Sequence, residues 1–92
     1  MIESIRHKGL KRFFHEDDRN KLQADMVERI RDLLTALDAA TTVEDLDLPT
    51  FRLHALKGDL RGHWAITVRA NWRMVFRFEN GKVLDVDLVD YH

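Results

Sequence analysis

Five histidines, at positions 7, 15, 54, 63 and 92, and a run of cations between residues 52 and 77 are the side chains best suited to chemistry in this chain. His54 and Lys57 flank a bend that ends in Gly58, and Arg61 lies in the next loop. Arg69, Arg73 and Arg77 recur four residues apart over two adjacent strand-like segments, so some of them are expected to converge. The sequence ends on three polar groups, Asp90-Tyr91-His92. Breaking a phosphodiester next to a ribose 2′-hydroxyl needs a base for the hydroxyl proton, cations for the charge growing on phosphorus, and an acid for the leaving oxygen. Histidine, with a reference pKa of about 6.5, is suited to the proton steps, and arginine to planar recognition of phosphate. These residue types suffice for that reaction, but each also has a plainer reading. A lone strand histidine usually packs or faces water, outer-face arginines are usually solvated, and Trp64 and Trp72 read as packing residues.

Charge is unevenly placed. Residues 51–77 carry six cations (Arg52, Lys57, Arg61, Arg69, Arg73 and Arg77) against Asp59 alone, whereas the segments on either side are net acidic and the whole chain is −1. A basic segment on an acidic chain suggests a local site for a polyanion, although a solvated face of alternating charge reads the same way. No histidine pair stands at the helical spacing of metal ligands and there is no cysteine, so a metal centre and thiolate chemistry have no support in the spacing. A glycine-rich phosphate loop and a nucleophile elbow are also lacking.

Positioning such groups requires a folded scaffold. Ninety-two residues, 45% of them apolar and 34% charged, fit one domain over residues 1–92 with a single core. The opening residues hold no signal-like apolar stretch and no segment approaches a bilayer span, so a soluble, cytoplasmic protein is expected. Before residue 50 the spacing is helical. Leu10, Phe13 and Phe14 predict a short helix near Lys8 to His15, and Leu22, Met26, Ile30, Leu33, Leu34 and Leu37 predict a longer one over Asn20 to Leu37. Ile2 and Ile5 suggest a short first strand, and Thr41 or Thr42 a cap for a helical turn. After Pro49 the pattern alternates. Trp64, Ile66 and Val68, then Trp72, Met74, Phe76 and Phe78, then Leu84, Val86 and Leu88 mark the apolar faces of three strands. Asn80-Gly81 is a type I′ hairpin signal, and Ala70-Asn71 a weaker turn. The class is α+β: a short N-terminal strand and two helices on one face of a mainly antiparallel sheet of about four to five strands.

The second half also carries an ordered set of short segments. Leu53-His54-Ala55-Leu56-Lys57-Gly58, Gly62-His63-Trp64, Ala70-Asn71-Trp72-Arg73, Phe76-Arg77-Phe78 and Asp90-Tyr91-His92, together with the opening Ile5-Arg6-His7-Lys8-Gly9-Leu10-Lys11, resemble the HigB branch of the RelE/ParE toxin superfamily over nearly the whole chain. The resemblance implies a RelE-like fold and the toxin of a type II toxin–antitoxin system, a ribosome-dependent endoribonuclease cutting messenger RNA in the A site. It implies no metal and no organic cofactor. It further implies a HigA-type helix-turn-helix antitoxin, the 70S ribosome as partner, and operator DNA reached only through the antitoxin complex. By matched position, His54, Asp90, Tyr91 and His92 would handle protons and orient the nucleotide, Lys57 and Arg73 would hold phosphate, and Asn71 would read a base edge. Arg61 and Arg77 complete the expected phosphate contacts. Ala55 stands where the family commonly has proline, which predicts a less rigid bend before Lys57. The pI near 6.5 is lower than in many relatives and predicts weaker ribosome binding, because such binding draws on released counterions. Rival expectations are a ParE-like gyrase inhibitor and a binding module without catalysis.

Overall fold

Lys8–Glu16 form the first helix, α1. His7 caps it, its Nδ1 accepting from the Leu10 N–H at 3.2 Å, and Asp17 ends it in the left-handed conformation with its N–H on the Phe13 carbonyl. Gly9 is required by close approach, since a Cβ there would lie 2.8 Å from the Lys21 Cβ. The structure, a computed structural model, describes residues 1–91.

The second helix, α2, spans Val27–Ala39 and therefore starts seven residues later than the apolar spacing predicts. Asp18 and Arg19 supply the reason. The Asp18 carboxylate accepts from the Asn20 N–H and the Arg19 carbonyl from the Leu22 N–H, giving the backbone local partners that compete with a helix. Gln23 is extended, and Ala24–Met26 form a single 3₁₀ turn. Leu22 and Met26 are nonetheless buried, as their spacing requires. A loop and a turn satisfy the same pattern as a helical turn.

A 3₁₀ turn at Val43–Leu46 carries a capping box in which Thr42 and Asp45 satisfy each other's backbone. The Asp45 carboxylate accepts from the N–H groups of Thr41 (3.0 Å) and Thr42 (3.2 Å) and from the Thr41 hydroxyl. These bonds, the Thr41 N–H foremost, hold its pKa below the ordinary 3.8. A depressed folded pKa adds stability that is fully present above 3.8 and is lost as pH falls through the lower folded value. Asp45→Asn should thus be less stable than the parent near neutral pH, with the gap narrowing in strong acid. Thermal midpoints across the acid range check this, and a gap independent of pH would refute it.

The sheet has four antiparallel strands in the order of the chain: β1 (His54–Ala55), β2 (His63–Arg69), β3 (Trp72–Glu79) and β4 (Lys82–Asp90). Asn80 and Gly81 turn the last hairpin with φ of 52° and 76°, as their type predicts, and Ala70 takes φ 50° in the hairpin before it. The expected N-terminal strand is instead a pair of isolated parallel bridges to β4, Ile2 to Val83 and Ile5 to Val86. Between them, β4 bulges: the register shifts between Val75 and Arg77, Asp85 has φ 54°, and its N–H donates to the Ser4 hydroxyl at 2.8 Å. The bulge also corrects the alternation expected for β4. Val83, Val86 and Leu88 belong to the core, and Leu84 pairs with Arg77 on the far face.

Both helices pack on one face of the sheet. Leu10, Met26, Ile30, Leu33 and Leu37 meet Ile66, Met74, Phe76 and Val86 in one core, with Trp64 and Trp72 at its margin. The opposite face carries the polar residues of the strands.

Candidate active site

Register places the polar residues in rows across the face turned away from the helices. One row runs His54, Ala65, Val75, Asp87; the next toward the Ala70-Asn71 turn runs Thr67, Arg73, Val89; and the next away from it runs His63, Arg77, Leu84. Strands lie about 4.8 Å apart and same-face rows about 7 Å apart, so the backbones at His54 and Arg73 are separated by roughly 12 Å. Two side chains of that length can hold one nucleotide between them. Ala65 and Val75, both buried, form the floor.

His54 is exposed on the two-residue edge strand β1, and its Nδ1 lies 3.2 Å from the Arg52 carbonyl oxygen. A carbonyl can only accept, so this contact assigns the ring proton to Nδ1 and leaves Nε2 free to take one. Arg73 is half-buried. Its Nη1 donates to the carbonyls of Ala70 (2.7 Å) and Trp72 (3.0 Å), which folds the guanidinium toward the turn, and it has no carboxylate partner among the described residues. Asn71 is exposed in that turn and its carbonyl accepts from the Tyr91 N–H at 2.8 Å. Asp90 pairs with Trp72 at the same end of the sheet. Arg73, Asn71, Asp90 and Tyr91 therefore lie at the turn end, with His54 two strands across on the edge. Asp90, however, opposite Trp72 and two residues past the core Leu88, falls on the helix-side alternation, away from the face that carries Arg73 and His54. His92 lies outside the described residues.

Lys57 and Arg61 stand beyond His54 toward the opposite end, where the Leu56 N–H meets the His63 carbonyl. Both are exposed and neither pairs with a described carboxylate, so their charge is available to a ligand. Arg77 shares the face with Arg73 but lies 3.4 Å from the Glu79 carboxylate and 3.2 Å from that of Asp85. Two carboxylates offset its charge and leave it a poor phosphate ligand at rest. Arg69, grouped with these arginines by its spacing, points elsewhere. A register shift between Thr67 and Arg69 puts it opposite Trp72, and its guanidinium bonds Asp25 beside α2. Alternation that skips a bulge sends a residue to the wrong face.

Spacing did not single out Asp87 or Arg29. Asp87 shares the row of His54, and counting two back from Arg73's neighbour Val89 would have placed it there. Arg29 sits in a helix whose sequence carries no sign that its guanidinium reaches the sheet. Surface depressions lie on the helical side, for example among His7, Lys8, Arg12 and Lys21. Among the described residues no cluster of three or more histidines or carboxylates is placed to hold a metal, and no helix is long and apolar enough to cross a membrane.

Two helices on one face of a four-stranded antiparallel sheet is a fold that this chain shares with solved toxin structures. A chain of the heterotetrameric YoeB–YefM toxin–antitoxin complex of Staphylococcus aureus superposes with a TM-score of 0.63 at 17% identity over 100% of this chain and 95% of that one. At the level of sequence, the family described as RelE-like toxin of type II toxin-antitoxin system HigB matches residues 3–92. The Endoribonuclease HigB of Proteus vulgaris is 47% identical over 92 residues, covering 100% of both chains. Toxin HigB-1 of Vibrio cholerae serotype O1 is 31% identical over 90 residues, covering 96% of this chain and 95% of its own length. The chain belongs to the HigB family of toxins of type II toxin–antitoxin systems.

Proposed function

We propose that the chain is a ribosome-dependent endoribonuclease that cuts messenger RNA in the A site without a metal. The observation that carries this reading is the placement of His54 and Arg73 on one helix-free sheet face, about a nucleotide apart, in a chain 47% identical to a protein named an endoribonuclease. His54 Nε2 takes the proton of a ribose 2′-hydroxyl. The 2′-oxygen bonds to phosphorus, the bond from phosphorus to the 5′-oxygen breaks, and the departing oxygen is protonated by the C-terminal pair Tyr91 and His92. Arg73 releases its carbonyl partners to stabilise the charge on phosphorus, and Lys57 and Arg61 hold flanking phosphates. Asn71 reads a base at the turn. In the cell this places the protein in the cytoplasm as one domain, bound to the 70S ribosome when active and to a HigA-type helix-turn-helix antitoxin when silenced. Operator DNA is reached through that complex. An antitoxin partner also accords with the solved relative bound to YefM.

Primer extension on a translated message tests the reading. Cuts that need translation are expected; uncut message with gyrase inhibited would instead indicate a ParE-like protein, and neither effect a binding module. Within the nuclease reading the two half-buried arginines should separate. Arg73→Ala should slow cleavage on the order of 10²-fold, in the range of a lost transition-state donor. Arg77→Ala should cost no more than about threefold, because its charge is already offset by Glu79 and Asp85. Equal losses would refute the assignment.

A further inference from the structure

Arg29, in the first turn of α2, reaches across to the sheet and donates to three backbone carbonyls in two places, two neighbouring ones on β2 and one before β1. Its Nε meets the Val68 carbonyl at 3.2 Å, and its Nη2 meets those of Thr67 at 2.9 Å and Thr50 at 2.6 Å. The guanidinium carbon lies 5.4 Å from the centre of the Phe51 ring, and no described carboxylate pairs with it. Three of its five N–H donors are spent on clamping residues 50–51 to the bulged end of β2.

His54 comes three residues after the clamped pair. The buried Phe51 accepts from the Thr67 N–H through its carbonyl at 2.7 Å, Arg52 takes φ 52°, and the Arg52 carbonyl then faces His54 Nδ1 at 3.2 Å. β1 itself has only two residues and two register pairs, both exposed, so it does little to hold the histidine. The carbonyl that selects the tautomer stands where it does because residues 50 and 51 are held from behind. We propose that Arg29 is the positioning residue for His54, acting through the 50–52 backbone to keep the proton on Nδ1 and Nε2 turned to the substrate face. This rests on the reading of His54 as the proton acceptor.

Arg29→Lys keeps a charge but not a planar fork with donors for three carbonyls. The test compares the full-length parent, Arg29→Lys and Leu34→Ala, the last a destabilised control on the same helix away from the clamp. In Arg29→Lys, the ¹⁵N signals of the His54 ring should move from the Nδ1–H pattern toward a mixture of tautomers. Cleavage of ribosome-bound message should slow on the order of 10- to 100-fold, as expected when a catalytic group is misplaced by about an ångström, with the half-saturating ribosome concentration unchanged. Leu34→Ala should leave the ring signals in place. Parent-like His54 signals in folded Arg29→Lys would overturn the proposal. So would shifted signals with an unaltered rate, provided that His54→Gln is inactive. An active His54→Gln would instead count against the catalytic reading, and the ring signals would still test the clamp.

Discussion

His54→Gln is expected to slow cleavage of a translated message by about 10²- to 10⁴-fold, the range for removing a positioned proton-transfer group. This corresponds to roughly 3–5 kcal/mol of transition-state stabilisation. Glutamine preserves much of the side chain's size and polarity, and the exposed edge position means that no core contact is lost. What disappears is a nitrogen able to accept a proton. The loss should therefore fall on the single-turnover rate at saturating ribosomes and leave ribosome binding nearly unchanged. A variant cutting within about threefold of the parent would remove His54 from the reaction, since an interaction made only in the transition state cannot vanish without cost.

Phe76→Ala should be the most damaging of the core substitutions. Phe76 is fully buried at the middle of β3, facing the helices, and is among the largest side chains with no solvent exposure. Truncating a buried phenylalanine costs about 3–5 kcal/mol, against about 5–15 kcal/mol for the total stability of a typical domain. For a chain of this length the thermal midpoint should fall by between roughly 12 and 40 °C. Denaturant unfolding followed by tryptophan fluorescence reads it directly, because Trp64 and Trp72 border the same core. A loss below about 1.5 kcal/mol would mean that the sheet and helices repack around the gap, against the partial relaxation usual in protein cores.

The parts of the site that could be read from residue types alone are those that need only a chemical identity. His54, Lys57, Arg61, Arg73 and Asn71 stood out as proton-transfer, cationic and amide groups in strand and turn contexts, and the structure places them at the sheet face, its turn and the neighbouring loop. Position on a face was harder. Arg69 and Arg77 have the same type and spacing as Arg73, yet one is turned to Asp25 by a register shift and the other is held between two carboxylates. Nothing in the local pattern distinguishes the three.

Composition and periodicity suffice for the α+β class, for the two hairpin turns and for most of the core, because burial imposes periods of about 3.6 and 2 on any element with one wet face. The family was legible by another route, a resemblance carried by short segments in a fixed order. The late start of α2 follows from local backbone bonds at Asp18 and Arg19 that periodicity does not register. The bulge at Asp85 with its Ser4 partner and the reach of Arg29 to Thr50, by contrast, arise only in three dimensions. Each depends on a hydrogen bond, and the bulge and the Arg29 clamp join residues tens of positions apart. A one-residue offset in a strand or a guanidinium crossing between layers leaves no period behind, since its partner is chosen by packing and not by neighbours in the chain.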